Sequence, residues 1–231
     1  WCQGYSEPGA GSDLASLQTS AVLEGDAFVV NGQKVWTSAA HLAHMMFALV
    51  RSETGGKKQA GISYLLIPMD AAGLEVRPLR SMTEESEFNQ VFFDDVRVPR
   101  ANLVGRRGQG WEIANTTLVH ERLVAGNPRE LETTLYSLVA VMQNEGRHGG
   151  RAVEQAVFRD RLMRLQARVL ALKSHAMRLL TCDLRGEPPG VAGLVVKLQA
   201  CELMYQMSSL ALDALGEVGP LQRGSKPADS E

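Results

Sequence analysis

Cysteine is scarce in this sequence. Cys2, Cys182 and Cys201 are the whole complement, and no CxxC pair occurs among them. That argues against a disulfide scaffold and for a reducing compartment; the expected location is cytoplasmic in a bacterium, or the mitochondrial matrix if the source is eukaryotic. Long apolar runs are lacking too. None reaches the ~18 residues that a membrane span requires, so a soluble chain is expected. Charge of one sign is lacking as well: 24 Lys and Arg against 26 Asp and Glu leave a net charge of −2. Nothing in that balance calls for a nucleic-acid partner, and short basic runs such as Gly105-Arg106-Arg107 read as solvated loops. Internal repeats and low-complexity tracts are missing. What is there is an ordinary globular composition, 231 residues with 45% hydrophobic and 22% charged. Such a chain fits one large or two small domains with a substantial core.

The hydrophobic periodicity changes along the chain. Leu17–Glu24 and Ala27–Val35 are β-prone runs joined at Gly25-Asp26, a hairpin signal, and Asn31-Gly32 offers a second tight turn. Met45–Arg51, Gly61–Ile67, Leu74–Leu79 and Gln90–Phe93 read as further strands, with ETGGKKQA and PMDAAG as turn-rich connectors. After Gly110 the period becomes helical. Gly110–Ala125 reads as a helix, and Gly126-Asn127-Pro128 interrupts it. Asn127 is placed to cap the next helix, with Pro128 at its first position and Glu130 three residues on. Leu162, Leu165, Val169 and Leu172 form one amphipathic stripe. Val196, Ala200, Leu203, Met207, Leu210 and Ala214 form another, with Met204 assigned to it, ending at Gly216. The expected fold is α+β: an antiparallel β-barrel or sandwich over residues 1–105, then an antiparallel helical bundle over 106–231.

Several short stretches carry chemistry. Glu7-Pro8-Gly9-Ala10-Gly11-Ser12-Asp13 has the makings of a ligand-binding turn: Pro8 stiffens it, Gly9 and Gly11 permit φ > 0 and close backbone approach, and Ser12 adds a hydroxyl. A plain surface turn uses the same residues. It is neither a Walker loop nor a Rossmann fingerprint. Trp36-Thr37-Ser38 sets an indole beside two hydroxyls, able to stack on and hydrogen-bond a planar heteroaromatic group, although a strand-end Trp also serves as core. His41 and His44 suit a metal only with further ligands, and none is evident, so no metal is expected. His120-Glu121-Arg122 lies on an apolar helix. Glu121 there is either a general base with a raised pKa or half of an internal ion pair with Arg122 or another Arg.

Three blocks together, YSEPGAGSD, NGQKVWTSAA and FNQVFFDDVRVPRANLVGRRGQGWEIANTTLVHER, resemble the acyl-CoA dehydrogenase family in motif and in order. Residues 1 to about 125 carry the likeness closely, and 126–215 more loosely. The resemblance implies an N-terminal helical domain preceding Trp1, so that the chain is a slice of a longer polypeptide. It also implies FAD between the β-domain and the helices, and FAD-dependent α,β-dehydrogenation of an acyl-CoA thioester to a trans-2-enoyl-CoA. Electrons would leave to an electron-transfer flavoprotein. Carried onto this sequence, Tyr5, Ser6, Gly11 and Ser12 would meet the flavin, and Ser12 would touch the acyl-CoA as well. Trp36, Thr37 and Ser38 would contact the isoalloxazine, with Ser38 standing where the family usually has Thr.

The resemblance gives the catalytic base two addresses. Most members place it in a YEGT-type segment near the C-terminus, which does not occur up to Glu231. A minority place it on the first C-terminal helix just before an Arg, and Glu121-Arg122 matches. Glu121 is therefore the expected base and Arg122 a supporting residue of the acyl-CoA pocket. The family's RxxFG motif, which reaches across a dimer to the FAD pyrophosphate, should fall near GRHGGRA; Arg147 and Arg151 are there without Phe-Gly. With the GNP break, this is similar to divergent bacterial members acting on steroid side chains or unusual acyl groups, some of them heteromers. A homo- or hetero-oligomer is the expected assembly. A non-catalytic or FAD-sharing subunit, and a flavin oxidase or monooxygenase, are the alternatives.

Overall fold

The computed structural model describes residues 1–125, 127–144, 150–188 and 190–220, with the backbone path alone for 119–125. Two compact units divide the chain, Trp1–Leu118 and Val119–Glu231.

The first unit is built on eight strands: β1 (Cys2–Gly4), β2 (Ser20–Glu24), β3 (Ala27–Ser38), β4 (Met45–Arg51), β5 (Ile62–Pro68), β6 (Leu74–Leu79), β7 (Phe88–Pro99) and β8 (Leu103–Val104). They form one sheet in the order β6-β7-β3-β2-β4-β5-β8, with β1 beside β4. The α+β class is as expected, but the sheet is mixed and its path is open, not a closed antiparallel barrel. β1 runs parallel to β4, and β2 meets β4 in a parallel pairing at Ser20 and Arg51. Alternate residues of β4 point to opposite faces. Met46, Ala48 and Val50 join one core with Phe28, Val30, Leu65 and Val96. Leu49 joins a second with Tyr5, Leu17, Ile62, Tyr64 and Ala114. Both faces of the central strands are therefore covered, which is why MMFALV is an unbroken apolar run and ISYLLI is interrupted by Ser63 alone.

Ala114 lies on α1 (Gly110–Ala125), and the division between the units falls within that helix. Its first turn lies directly against β5: a Cβ on Gly110 would sit 2.5 Å from the Ser63 carbonyl carbon, so only glycine fits. The hairpin at Gly25-Asp26 forms as expected, with Gly25 at φ 64°. Asn31-Gly32 makes no turn. β3 runs through it with a register irregularity, and the Asn31 amide instead exchanges two hydrogen bonds with Asp95, at 2.8 and 2.9 Å.

One ion pair ties the N-terminal turn to β3. The Lys34 ammonium donates to Glu7 Oε1 at 2.7 Å and to the Tyr5 carbonyl at 3.1 Å, with Lys34 0% and Glu7 8% exposed. The Glu7 carboxylate also accepts from the backbone N–H of Gln18 (2.6 Å) and Thr19 (2.9 Å). Burial pushes Lys34 down to about 8, with the Glu7 charge opposing. Burial acts to raise Glu7, but the Lys34 charge and the hydrogen bonds from Lys34, Thr19 and Gln18 bring it below the usual carboxylate value.

The second unit is helical: α2 (Pro128–Gln143), α3 (Ala156–Leu184) and α4 (Ala192–Leu215). Asn127 does cap α2, its side chain accepting from the Arg129 N–H with Pro128 in the first turn. The core takes Leu131, Leu135 and Leu138 from α2, Leu162, Leu165 and Val169 from α3, and Val196, Leu203 and Met207 from α4. Met204 does not belong to that stripe. It is 40% exposed, one residue off the buried line. Gly216, at φ 59°, ends α4 as expected.

Leu203→Ala should cost about 2–5 kcal/mol in urea unfolding, because Leu203 is 1% exposed and the cavity cannot close. Met204→Ala should stay within about 0.5 kcal/mol. Lys34→Met leaves the Glu7 carboxylate buried and uncompensated and should cost about 3–5 kcal/mol. The pH dependence follows the Glu7 shift: its contribution is complete above the ordinary value of 4.5 and is lost as pH falls through the lower folded value. Glu7→Gln should flatten that acid limb.

Candidate functional site

The two N-terminal motif blocks meet in the first unit. Glu7 and Ala10 exchange backbone hydrogen bonds of 3.0 Å each way, closing Glu7-Pro8-Gly9-Ala10 into a tight turn with Pro8 and Gly9 exposed at its tip. Val35 N–H donates to the Ser6 carbonyl at 2.9 Å, so the turn lies against β3 one residue before Trp36. The Tyr5 side chain points inward, edge-on to Phe47 and Tyr64, and its carbonyl is what meets Lys34. Ser6 is half-buried; Gly11, Ser12 and Asp13 are exposed. Gly9 and Gly11 do not adopt the left-handed backbone expected of them. A Cβ at either would meet open space, leaving room over the turn for a ligand.

On β3, Trp36 has φ 60° and is 64% exposed. A bulky residue in the left-handed region carries about 1–3 kcal/mol of strain, and such positions cluster at ligand clamps. Its ring stands edge-on to Phe88, with centroids 6.0 Å apart. Thr37 is 1% exposed, and its Oγ1 has no hydrogen-bond partner among the described residues. Leaving a buried hydroxyl unmet costs about 1–3 kcal/mol, which a ligand acceptor or donor would recover. Ser38 is exposed at the end of the strand. The arrangement is an exposed indole, an unmet hydroxyl, a free hydroxyl and an open turn. That donor set fits a planar ring system with polar edges.

One cleft borders the turn, and a second lies along the segment that follows it. The first, of about 330 Å³, is lined by Glu7, Pro8, Gly9, Thr19 and Gln33. The other, of about 570 Å³, is lined by Ser16, Gln18, Arg51, Thr54, Lys57 and Lys58. The sequence reading passed over Arg51, Lys57 and Lys58, taking ETGGKKQA as a connector; two lysines after two glycines was the available signal. Lys58 reaches Asp13 at 2.9 Å. Asp13 is held below the usual carboxylate range, first by the Ser16 hydroxyl and then by Lys58. His41 Nδ1 lies 3.2 Å from Asn89 Oδ1. No cluster of three or more His, Cys, Asp or Glu suited to a metal occurs among the described residues. The side chains of Glu121 and Arg122, and all of Arg147, lie outside the described residues.

Comparison with known proteins agrees with the motif order. The family model for the acyl-CoA dehydrogenase middle domain matches residues 2–96, and that for the C-terminal domain matches 108–228. Acyl-CoA dehydrogenase IpdE1 of Mycobacterium tuberculosis is 42% identical over 221 residues, 95% of this chain and 56% of that protein. Among solved structures, the ChsE4-ChsE5 complex from Mycobacterium tuberculosis is 33% identical with a TM-score of 0.83, over 97% of this chain and 58% of that one. The Tcur3481-Tcur3483 steroid ACAD is 30% identical with a TM-score of 0.86, over 97% and 57%. The chain thus spans a little over half the length of the relatives it matches. With both domain models matched in sequence, the chain belongs to the acyl-CoA dehydrogenase family.

Proposed function

We propose that the chain serves FAD-dependent α,β-dehydrogenation of an acyl-CoA thioester to a trans-2-enoyl-CoA. The observation that carries this is Trp36, held exposed on a strained backbone beside the unmet Thr37 hydroxyl and against the Tyr5–Ser12 turn. The bound FAD would supply a hydride acceptor for the substrate's β-hydrogen, with an electron-transfer flavoprotein as the expected acceptor of its electrons. Trp36 would lie against the isoalloxazine, and the hydroxyls of Thr37, Ser38 and Ser6 would meet its polar edge. Gly11 and Ser12 would approach from the turn, with Ser12 also touching the thioester. Lys57 and Lys58 would draw the phosphates of the CoA handle into the larger cleft.

The α-C–H is a poor acid unless the thioester carbonyl is polarised and a desolvated base is held close. Glu121 is assigned that base, taking the α-proton onto its carboxylate, with Arg122 supporting the acyl-CoA pocket. Arg147 is assigned to the cofactor's phosphates. For assembly we propose a homo- or hetero-oligomer. α4 is apolar on two sides: opposite its buried line it presents Leu194, Leu198, Tyr205 and Leu212, each at least half exposed, and a helix apolar all round is one that is covered. The similar ChsE4-ChsE5 structure is a complex, and a subunit sharing its FAD with a homologous chain is the second reading.

Purified full-length protein should be yellow and should bleach anaerobically with an acyl-CoA. Colourless protein that acyl-CoA leaves unchanged would overturn the proposal. Glu121→Gln should keep the flavin yet slow its anaerobic reduction by about 10²- to 10⁴-fold in stopped flow. A rate within a few-fold of wild type would move the base elsewhere and favour the shared-subunit reading.

A further inference from the structure

We propose that Lys34 is a positioning residue for the cofactor contact: it clamps the Tyr5–Ala10 turn to β3 and keeps the Trp36 backbone in its left-handed conformation. The inference rests on the flavin reading above, and it concerns a residue that touches neither the turn's open face nor the exposed indole.

The strand register shows what has to be held. β3 pairs with β7 at Lys34 and Val91, and pairing resumes at Thr37 and Asn89. Val35 and Trp36 therefore share the single opposing residue Gln90, a β-bulge. The bulge frees the Val35 N–H from the ladder, and it donates to the Ser6 carbonyl instead. Three successive β3 residues are bonded into the N-terminal segment. The Gln33 carbonyl accepts from Thr19 Oγ1 at 3.1 Å, Lys34 Nζ reaches Tyr5 O and Glu7 Oε1, and Val35 N–H meets Ser6 O. Glu7 closes the ring by accepting from Gln18 and Thr19.

Within that ring Lys34 is the member whose side chain crosses from β3 to the turn, entirely buried. The other cation that bears on it, Arg51, opposes its charge, so Glu7 is its electrostatic support. A neutral side chain in its place takes the donor from the Tyr5 carbonyl and the counter-charge from Glu7 together. The turn can then lift from β3, and the Trp36 backbone can relax towards ordinary extended geometry. An indole free to change orientation is a poorer stacking surface, because the ligand must first order it.

The test uses full-length protein and reads FAD itself. Lys34→Met should raise the FAD dissociation constant about tenfold or more and alter the visible spectrum of what remains bound. Glu7→Gln keeps one side-chain oxygen, enough for the Thr19 N–H and Lys34, but drops the charge and the acceptor for the Gln18 N–H, and should show a smaller change of the same kind. Val98→Ala, in the other core of the same sheet, should lower the melting temperature with FAD affinity and spectrum unchanged. Wild-type affinity and spectrum in Lys34→Met would overturn the proposal, as would an equal loss of affinity in Val98→Ala. Should Lys34→Met fail to fold, Glu7→Gln decides by the same readout: an unchanged dissociation constant and spectrum refute the clamp. Wild-type protein that binds no FAD would instead bring down the flavin reading, and this inference with it.

Discussion

The first unit depends on a buried charge pair that does more than neutralise itself. Taking Lys34 and Glu7 out of water costs several kcal/mol per ion, and a well-packed apolar pair can match such an ion pair in stability. Here an apolar pair would also remove a donor from the Tyr5 carbonyl and the acceptor that the Gln18 and Thr19 N–H groups share. Buried backbone polar groups are nearly always paired, and each one stranded adds a penalty of its own. The charges therefore serve as connectors between chain segments 27 residues apart, and they turn two motif blocks into one surface.

Departures from ordinary packing gather on that surface. Trp36 is a bulky residue at positive φ, Thr37 keeps a buried hydroxyl unmet, and the turn tip at Gly9 faces open space. Elsewhere β4 and β5 pair without interruption, and the other irregularity between β3 and β7 lies at Asp95, at φ 48°, where the Asn31 side chain takes up the displaced backbone. What sets the Trp36 surface apart is that strain, an unmet hydroxyl and an open turn coincide there and are backed by buried bonds, the pattern of a place arranged for contact with something else.

Much of this was legible in the sequence, where the signal was local. Met45–Arg51, Leu74–Leu79 and the helix Gly110–Ala125 have the bounds that periodicity gives them, and Gly25-Asp26, Asn127 and Gly216 act as turn, cap and stop. The failures have non-local causes. Asn31-Gly32 has turn chemistry, but β7 pairs along both sides of it, and Asn31 locks onto Asp95 64 residues away. For the same reason β7 runs on through Asp94-Asp95, which looks like the end of a strand. Cys2–Gly4 carries no strand pattern at all and is recruited by β4 in a parallel pairing. As for the candidate site, the residue types around Trp36 and the turn were readable, but not that Lys34 is buried. A lysine in NGQKVW looks like any surface lysine until Glu7 is brought beside it.

The larger cleft shows how side-chain bonding can leave a charge unspent. Arg51 points three of its nitrogens at carbonyl oxygens of Ala15, Leu17 and Lys58, which orients the guanidinium without neutralising it. Glu53, the acid that also lines the cleft, is engaged by Arg107 at 3.1 Å. Lys58 is met by Asp13, through an ion pair so exposed that it adds little to stability. Arg51 and Lys57 thus lack a carboxylate partner among the described residues, and the wall of the cleft that they line is positive. A chain with a net charge of only −2 can therefore still present a locally cationic surface, suited by its charge to an anionic group.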